Sequence, residues 1–128
     1  MRVLFVCVEN SGRSQMAEAF ARALGANASS AGSKPSGEIN PRTVQVMAEK
    51  GISLAGQRSK SLSEIPEGEW DYVVTMGCGD ACPWVPARHR EDWDLPDPKR
   101  LDDDGFRAVR DEIEARVRKL VGVAPLSP

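Results

Sequence analysis

Short apolar runs alternate with amphipathic stretches along this chain. Val3–Val6 is an apolar run rich in β-branched and aromatic side chains, which predicts a buried strand. Ser14–Leu24 repeats apolar residues at helical spacing and is followed by Gly25, which predicts a helix and its end. Tyr72–Met76 has the same strand character, and Gly105–Val121 has the same helical periodicity. The chain therefore begins and continues as an alternation of strands and helices.

Weaker patterns fill the intervals between these segments. Asn27–Ala31 is a strand candidate whose polarity places it near a sheet edge, and Arg88–Trp93 is a further short strand. Asn40 and Pro41 predict the N-cap and first residue of another helix. The inner face of that helix is predicted to consist of Val44, Met47 and Ala48. Alternating strands and helices predict an α/β fold, with a parallel sheet and helices on both of its faces.

Composition supports one domain spanning residues 1–128. Hydrophobic residues make up 41% of the 128 residues and charged residues 28%, as in ordinary globular proteins. The net charge of −2 and the lack of a long basic tract argue against nucleic acid or an anionic membrane as a partner. The apolar N-terminal run is shorter than a signal peptide requires, so we expect a cytoplasmic protein. We also expect a monomer, because no surplus apolar stripe is evident.

Chemistry concentrates where the first strand meets the first helix. The sequence Cys7-Val-Glu-Asn-Ser-Gly-Arg13-Ser14 places a cysteine and an arginine around a loop at a helix N-terminus. Backbone N–H groups in such a loop form a nest that binds a tetrahedral oxyanion. The predicted oxyanion-binding residues are Val8, Glu9, Asn10, Ser11, Gly12, Arg13 and Ser14. Cys7 would be a thiolate nucleophile; alternatively, it is a buried thiol and Arg13 a solvated charge.

Two further cysteines follow the Tyr72–Met76 strand. If that strand neighbours the first one, Cys78 can approach Cys7, because the carboxyl ends of adjacent parallel strands share a crevice. Three cysteines are an odd number, which favours reactive or buried thiols over a disulfide framework. Cys78 and Cys82 could instead form half of a zinc site, but only Cys7 and His89 remain to complete it, so we expect no metal. The tryptophans are predicted to be packing residues: Trp70, Trp84 and Trp93.

The segment from Cys7 to Glu18 resembles the signature of the low-molecular-weight protein tyrosine phosphatase superfamily. Within it, Arg13-Ser-Gln-Met-Ala-Glu18 is most similar to the thioredoxin-coupled arsenate reductases, because the phosphatases usually have proline at the position of Gln15. The resemblance continues to the last helix through Ser30–Gly32, Asn40–Pro41, Val73–Met76, Cys78 and Asp97–Pro98. It implies a single three-layer domain whose parallel sheet has four strands.

The resemblance also implies a reaction, the reduction of arsenate to arsenite by a cysteine relay. Cys7 would attack arsenic, Cys78 would then attack the Cys7 sulfur, and Cys82 would free Cys7 again. Thioredoxin would reduce the final disulfide, and no cofactor is needed. Asp97 would donate and accept the proton, unless it is simply a turn aspartate beside Pro98. Asn10 and Ser14 would hold the loop, although Ser14 alone also fits an ordinary helix cap.

Two departures from the family pattern leave alternatives open, and a third counts against a phosphatase. Cys78 and Cys82 are closer together than in the thioredoxin-coupled enzymes, so glutaredoxin or mycoredoxin could replace thioredoxin as the reductant. Lys60 stands where potassium-binding relatives have an acidic residue, so its ammonium could fill a cation site and make potassium unnecessary; it could equally be a surface lysine. That site would lie beside Asn10, Glu18 and Ser30. Lys99 replaces the tyrosine common in phosphatases. The rival functions are a low-molecular-weight tyrosine phosphatase and a non-enzymatic redox or oxyanion sensor.

Overall fold

The computed structural model describes residues 1–77 and 84–122. The strands are β1 (Arg2–Cys7), β2 (Asn27–Gly32), β3 (Trp70–Thr75) and β4 (Ala87–Asp92). The α-helices are α1 (Arg13–Ala23), α2 (Pro41–Ala48) and α3 (Asp103–Val121). Short 3-10 turns lie at Leu62–Glu64 and Pro98–Arg100.

The four strands form one parallel sheet in the order β2-β1-β3-β4. Along β1, alternate side chains enter opposite layers, because successive residues of a strand point to opposite faces. Val3 and Phe5 join the larger core beneath the helices, whereas Leu4 and Val6 pack with Trp70 in a smaller cluster on the other face. The predicted four-stranded parallel sheet is therefore confirmed, and both of its faces are covered.

The two covering layers differ. Side chains of all three α-helices enter the larger core, with Met16 from α1, Met47 from α2 and Ile113 from α3 all fully buried. On the opposite face, the smaller core is closed by Leu62 of the first 3-10 turn and by neighbouring loop residues such as Ile65. In residues 1–77 and 84–122, that second layer contains a 3-10 turn in place of an α-helix.

Most predicted elements are present, and their ends shift by a few residues. β2 is an edge strand, as its polarity predicted. Asn40 caps α2 by accepting the N–H of Arg42 at 2.9 Å. Two of the three residues predicted for the inner face of α2 were wrong: Val44 is 45% exposed and Ala48 is exposed as well, whereas Val46 is buried together with the correctly predicted Met47. Val46 packs in the larger core with apolar side chains of α1 and α3.

One of the three tryptophans was also predicted wrongly. Trp70 and Trp93 are buried, whereas Trp84 is 74% exposed. Trp84 precedes β4 at the edge of the sheet, where no layer covers it, and its ring is stacked by the Arg90 guanidinium.

No helix in the described ranges is long and apolar enough to cross a membrane.

The sheet order decides where the site lies. β1 and β3 are neighbours, and the N–H of Met76 donates to the carbonyl of Val6 at 2.8 Å just beyond the end of β3. The loop after Cys7 and the chain leaving β3 at Gly77 therefore emerge side by side at the carboxyl edge of the sheet, where parallel α/β sheets place their ligands.

Candidate active site

The loop between β1 and α1 presents backbone donors at a helix N-terminus. Gly12 is the N-cap of α1 and provides no side-chain cap. Among the described residues, the N–H groups of Val8, Glu9, Ser11 and Gly12 have no hydrogen-bond acceptor. Unpartnered amides at the positive end of a helix dipole favour an anion. These four N–H groups are therefore available to the predicted oxyanion nest.

The Cys7 sulfur lies at the base of this loop and is buried. Its Sγ is 2.8 Å from the Ser14 hydroxyl, and the N–H of Asn10 donates to it at 3.3 Å. A thiolate has no hydrogen of its own, so in that state Ser14 must be the donor. In that state the sulfur accepts both hydrogen bonds, and the thiolate is the nucleophilic form of cysteine.

Asn10 holds the loop from below. It is fully buried and has a φ of 53°, a left-handed conformation that asparagine tolerates better than most residues. Its Nδ2 donates to Ser14 Oγ at 2.8 Å and to Ser30 Oγ at 2.9 Å. Its Oδ1 accepts from Gln15 Nε2 at 2.9 Å and from the Lys60 N–H at 3.0 Å. Every polar atom of this amide is therefore partnered.

This network continues into α1 and β2. We call the following set the buried floor: Asn10, Ser14, Gln15, Glu18 and Ser30. Sequence analysis named Asn10 and Ser14 for this role but treated Gln15 only as a departure from proline. Gln15 Nε2 also donates to the carbonyl of Arg58 at 2.9 Å, which ties the loop to a distant segment. The signal that could have identified Gln15 is its polar side chain in the first turn of α1, a helix whose residues from Arg13 to Ala21 are buried.

Glu18 is a buried carboxylate with three partners. Ser30 Oγ donates to it at 2.7 Å, and Arg22 Nε lies 3.2 Å from its second oxygen. Lys60 Nζ lies 3.6 Å from Glu18 Oε1, so its ammonium lies beside this carboxylate, one of the two placements that the sequence left open. The resemblance implies a potassium site here in some relatives. That the Lys60 ammonium makes potassium unnecessary here stays a prediction.

Arg13 links the loop to the segment that carries Asp97. Its Nη1 donates to the carbonyl of Leu95 at 2.9 Å, and the guanidinium is largely buried. Gly77 lies against this guanidinium with a φ of 76°, and a β-carbon there would collide with Arg13 Nη1. Glycine is thus required at position 77 both for its backbone conformation and for the space that the arginine occupies.

A cavity of about 620 Å³ opens at the carboxyl edge of the sheet. It is lined by most of the predicted site residues: Cys7, Val8, Glu9, Ser11, Gly12, Arg13 and Asp97. Asp97 begins the second 3-10 turn, where its Oδ1 accepts the N–H of Lys99 at 3.1 Å. The turn role and the position at the cavity are therefore both present. Asn10 and Ser14 lie beneath the loop in the buried floor.

A charged pair that sequence analysis did not foresee crosses the mouth of the cavity. Lys99 Nζ contacts Glu9 Oε1 at 2.9 Å and lies 3.8 Å from Asp97 Oδ2. We call Glu9 and Lys99 the rim pair. The hydrogen bond to Glu9, then the charges of Glu9 and Asp97, raise the pKa of Lys99 above its ordinary value. No sequence pattern joins residues ninety positions apart.

The remaining predicted catalytic residues, Cys78 and Cys82, lie outside the described residues. The approach of Cys78 to Cys7 stays a prediction, although Gly77, the residue before it, lines the same cavity as Cys7. Over the two described ranges, no cluster of three or more histidine, cysteine or carboxylate side chains could hold a metal ion. His89 lies on β4, exposed, with its ring 5.0 Å from that of Tyr72.

A parallel sheet that ends in a cysteine loop, with an arginine and an aspartate at one cavity, defines a phosphatase-like class of protein. The model of the low-molecular-weight phosphotyrosine protein phosphatase family matches residues 2–126. This chain belongs to that family, and the resemblance seen in the sequence is confirmed.

Relatives within the family carry a more particular description. The glutaredoxin arsenate reductase of Synechocystis is 38% identical over 94% of this chain and 95% of its own length. A solved structure of an arsenate reductase in the phosphate-binding state has a TM-score of 0.86 at 38% identity, covering 94% of this chain and 96% of the other. The thioredoxin-dependent arsenate reductase of Corynebacterium glutamicum has a TM-score of 0.75 at 35% identity, covering 93% of this chain and 59% of the other.

Proposed function

We propose that this protein is an arsenate reductase that works by a cysteine relay. The observation that carries the proposal is the Cys7 sulfur, held by Ser14 and Asn10 beneath a loop of unpartnered amides. Arsenate is a tetrahedral oxyanion that such a loop fits. The similarity to arsenate reductases over nearly the whole chain supports this substrate.

The first step joins sulfur to arsenic. Loop amides and the planar guanidinium of Arg13 bind the arsenate oxygens, which lysine could not do in the same bidentate way. The Cys7 thiolate attacks arsenic and one oxygen leaves as water, with Asp97 as the proton donor. Arsenic remains pentavalent in this covalent adduct, so no electrons have yet been transferred.

Reduction requires a second thiol. The Cys78 thiolate attacks the Cys7 sulfur, the sulfur–arsenic bond breaks, and its electron pair stays on arsenic, which leaves as arsenite. Cys82 then attacks Cys78, which frees Cys7 and leaves a Cys78–Cys82 disulfide. Two thiols have been oxidised and arsenic has gained two electrons, so the exchange balances. A dithiol protein or a thiol cofactor system outside the chain must reduce that disulfide.

The reductant is the least constrained part of the proposal. The named relatives include a glutaredoxin arsenate reductase and a thioredoxin-dependent one. Arsenite production by the purified protein should be compared with thioredoxin, glutaredoxin and mycoredoxin systems in parallel. We expect one system to support multiple turnovers. We also expect a monomeric protein acting in the cytoplasm, without potassium or any other cofactor.

Three serine variants test the relay. Cys7→Ser should abolish both arsenate reduction and hydrolysis of an aryl phosphate, because both begin at the same sulfur. Cys78→Ser and Cys82→Ser should retain aryl phosphate hydrolysis and lose multiple-turnover arsenate reduction. Sustained arsenite production by Cys78→Ser would contradict the relay.

The phosphatase alternative rests on the same cavity, since a phosphatase needs the loop, Cys7 and Asp97 but no second thiol. It would be favoured if wild-type protein hydrolysed the aryl phosphate rapidly and produced no arsenite with any reductant. A sensor would show oxidation of its thiols by arsenate or peroxide without steady-state product.

A further inference from the structure

The rim pair places a negative charge on a loop built to receive an anion. Glu9 belongs to the loop whose neighbouring amides point at the substrate position, and its side chain lines the same cavity. An uncompensated carboxylate there would repel a dianionic substrate. Lys99 compensates it, with Nζ at 2.9 Å from Glu9 Oε1. The cysteine relay uses neither side chain, so the pair needs another explanation.

The rim pair is also weak enough to exchange partners. Its two side chains are 41% and 42% exposed, and ion pairs in such positions contribute little net free energy. The lysine stem has four rotatable carbons and so can redirect its ammonium. The Glu9 carboxylate carries one negative charge and a dianionic oxyanion carries two, so the bound oxyanion attracts the ammonium more strongly than Glu9 does. Transfer of Lys99 from Glu9 to a bound oxyanion is therefore favourable.

We propose that Lys99 is a substrate-binding residue, stored on Glu9 while the cavity is empty and transferred to an outward-facing oxygen of the bound oxyanion. This inference rests on the proposed function for its substrate. Asp97 shares the location, since its Oδ2 is 3.8 Å from Lys99 Nζ. Lys99 thus binds the oxygen that Asp97 protonates. Glu9 competes with the oxyanion for the Lys99 ammonium and so sets the affinity of the cavity for the oxyanion.

The arrangement favours an inorganic oxyanion over an organic ester. Arsenate presents a free oxygen to the mouth of the cavity. In an aryl phosphate, that position carries the organic group, which offers an ammonium a poorer partner and must displace the rim pair. Lys99 therefore contributes to specificity as well as to affinity.

The test relies on opposite signs. Lys99→Gln should raise the KM for arsenate about tenfold, the loss of one charge-assisted contact worth about 1.4 kcal/mol. Glu9→Gln should lower this KM about threefold, because Lys99 loses its competitor and the loop loses a negative charge. Lys99→Gln should also raise the ratio of kcat/KM for aryl phosphate to that for arsenate. If the pair were only a latch between two segments, both substitutions would raise the KM, and this result would overturn the proposal. Unchanged KM values in both variants would overturn it as well.

A binding readout separates this proposal from the reductase itself. Inorganic phosphate should protect Cys7 from alkylation, and the phosphate concentration needed should rise in Lys99→Gln and fall in Glu9→Gln. This measurement requires no reduction, so it remains informative if no variant forms arsenite, the result that would reject the reductase. Arg88→Gln and Glu69→Gln provide matched controls, because they change the same charges elsewhere. Arg88 Nε and Glu69 Oε1 form an exposed ion pair with a separation of 3.0 Å, and neither residue lines the cavity. Equal shifts in these controls would mean that net charge alone governs binding.

Discussion

The buried floor and the rim pair lie on opposite sides of the same loop and are built differently. In the floor, Asn10, Ser30 and Glu18 exclude water almost completely, and each polar side chain has a fixed partner. At the rim, the side chains of Glu9 and Lys99 are about two-fifths exposed and joined by a single ion pair. The buried floor fixes the conformation of the loop, whereas the rim pair presents charges that water and substrate can both reach.

The difference follows from the cost of an unmade hydrogen bond. A buried polar group left without a partner loses roughly 1–3 kcal/mol, whereas an exposed one turns to water instead. The floor must therefore be complete in every state of the enzyme. The rim can rearrange during turnover at little cost, which suits groups that meet the substrate.

The largest effect on activity is expected at Arg13, which lies between the buried floor and the rim pair. Arg13→Lys keeps the charge but loses the bidentate fork and the bond to the Leu95 carbonyl, so kcat/KM for arsenate should fall about 10²–10³-fold. Steady-state kinetics measure this, with thermal unfolding as the control for folding. A loss below fivefold in a folded variant would show that the fork is not used.

Removing the centre of the floor should cost stability first. Asn10→Ala removes the four hydrogen bonds that this amide makes to Ser14, Ser30, Gln15 and the N–H of Lys60. The three side chains keep other partners, and for the four lost bonds we expect the free energy of unfolding to fall by about 2–4 kcal/mol. Asn10→Gly removes the same bonds but accepts the left-handed backbone, so it separates lost bonds from strain. Urea unfolding of both variants measures the two contributions. Near-wild-type stability in both would show that the network contributes little.

A smaller effect on stability is expected at Lys60, which contacts Glu18 of the buried floor. Lys60→Met removes the ammonium beside Glu18, and we expect a loss of roughly 1–2 kcal/mol, less than for an isolated buried pair because Arg22 remains. Wild-type protein should unfold at the same temperature in potassium and sodium chloride. A stabilisation specific to potassium in wild type would contradict the proposal that the ammonium fills the cation site.

The smallest effect on activity is expected from an ion pair remote from both regions. Arg107 donates to Glu49 through Nε and Nη2, both at 2.9 Å, and Arg110 joins them at 2.8 Å. The hydrogen bond from Arg107 contributes most to lowering the pKa of Glu49. A lowered pKa stabilises the fold above the ordinary glutamate pKa, and this stability is lost as the pH falls through the lowered value. Glu49→Gln should therefore reduce the melting temperature at pH 7, with the difference disappearing in acid, and should leave kcat/KM unchanged.

Sequence patterns located the main elements because their physical causes are local. Val3–Val6 is apolar at every position and Tyr72–Met76 at every position except Thr75, as expected of strands covered on both faces. β2 was harder, because its polarity predicted an edge position but not which side chains are buried; Ser30 is fully buried and satisfied by Asn10 and Glu18. Trp84 was misjudged because a large apolar ring indicates burial only where a layer is available to cover it.

The sequence by itself determined the cysteine loop, its helix and the aspartate segment, since an amide nest and a strand–helix junction depend on neighbouring residues alone. Only the tertiary structure decided what lies beneath and across that loop. Gly77 makes room for Arg13, Glu18 pairs with Lys60, and Glu9 meets Lys99, all between residues far apart in the chain. Such pairs arise because parallel strands bring distant loops to one edge of the sheet, and no local pattern specifies which side chains meet there.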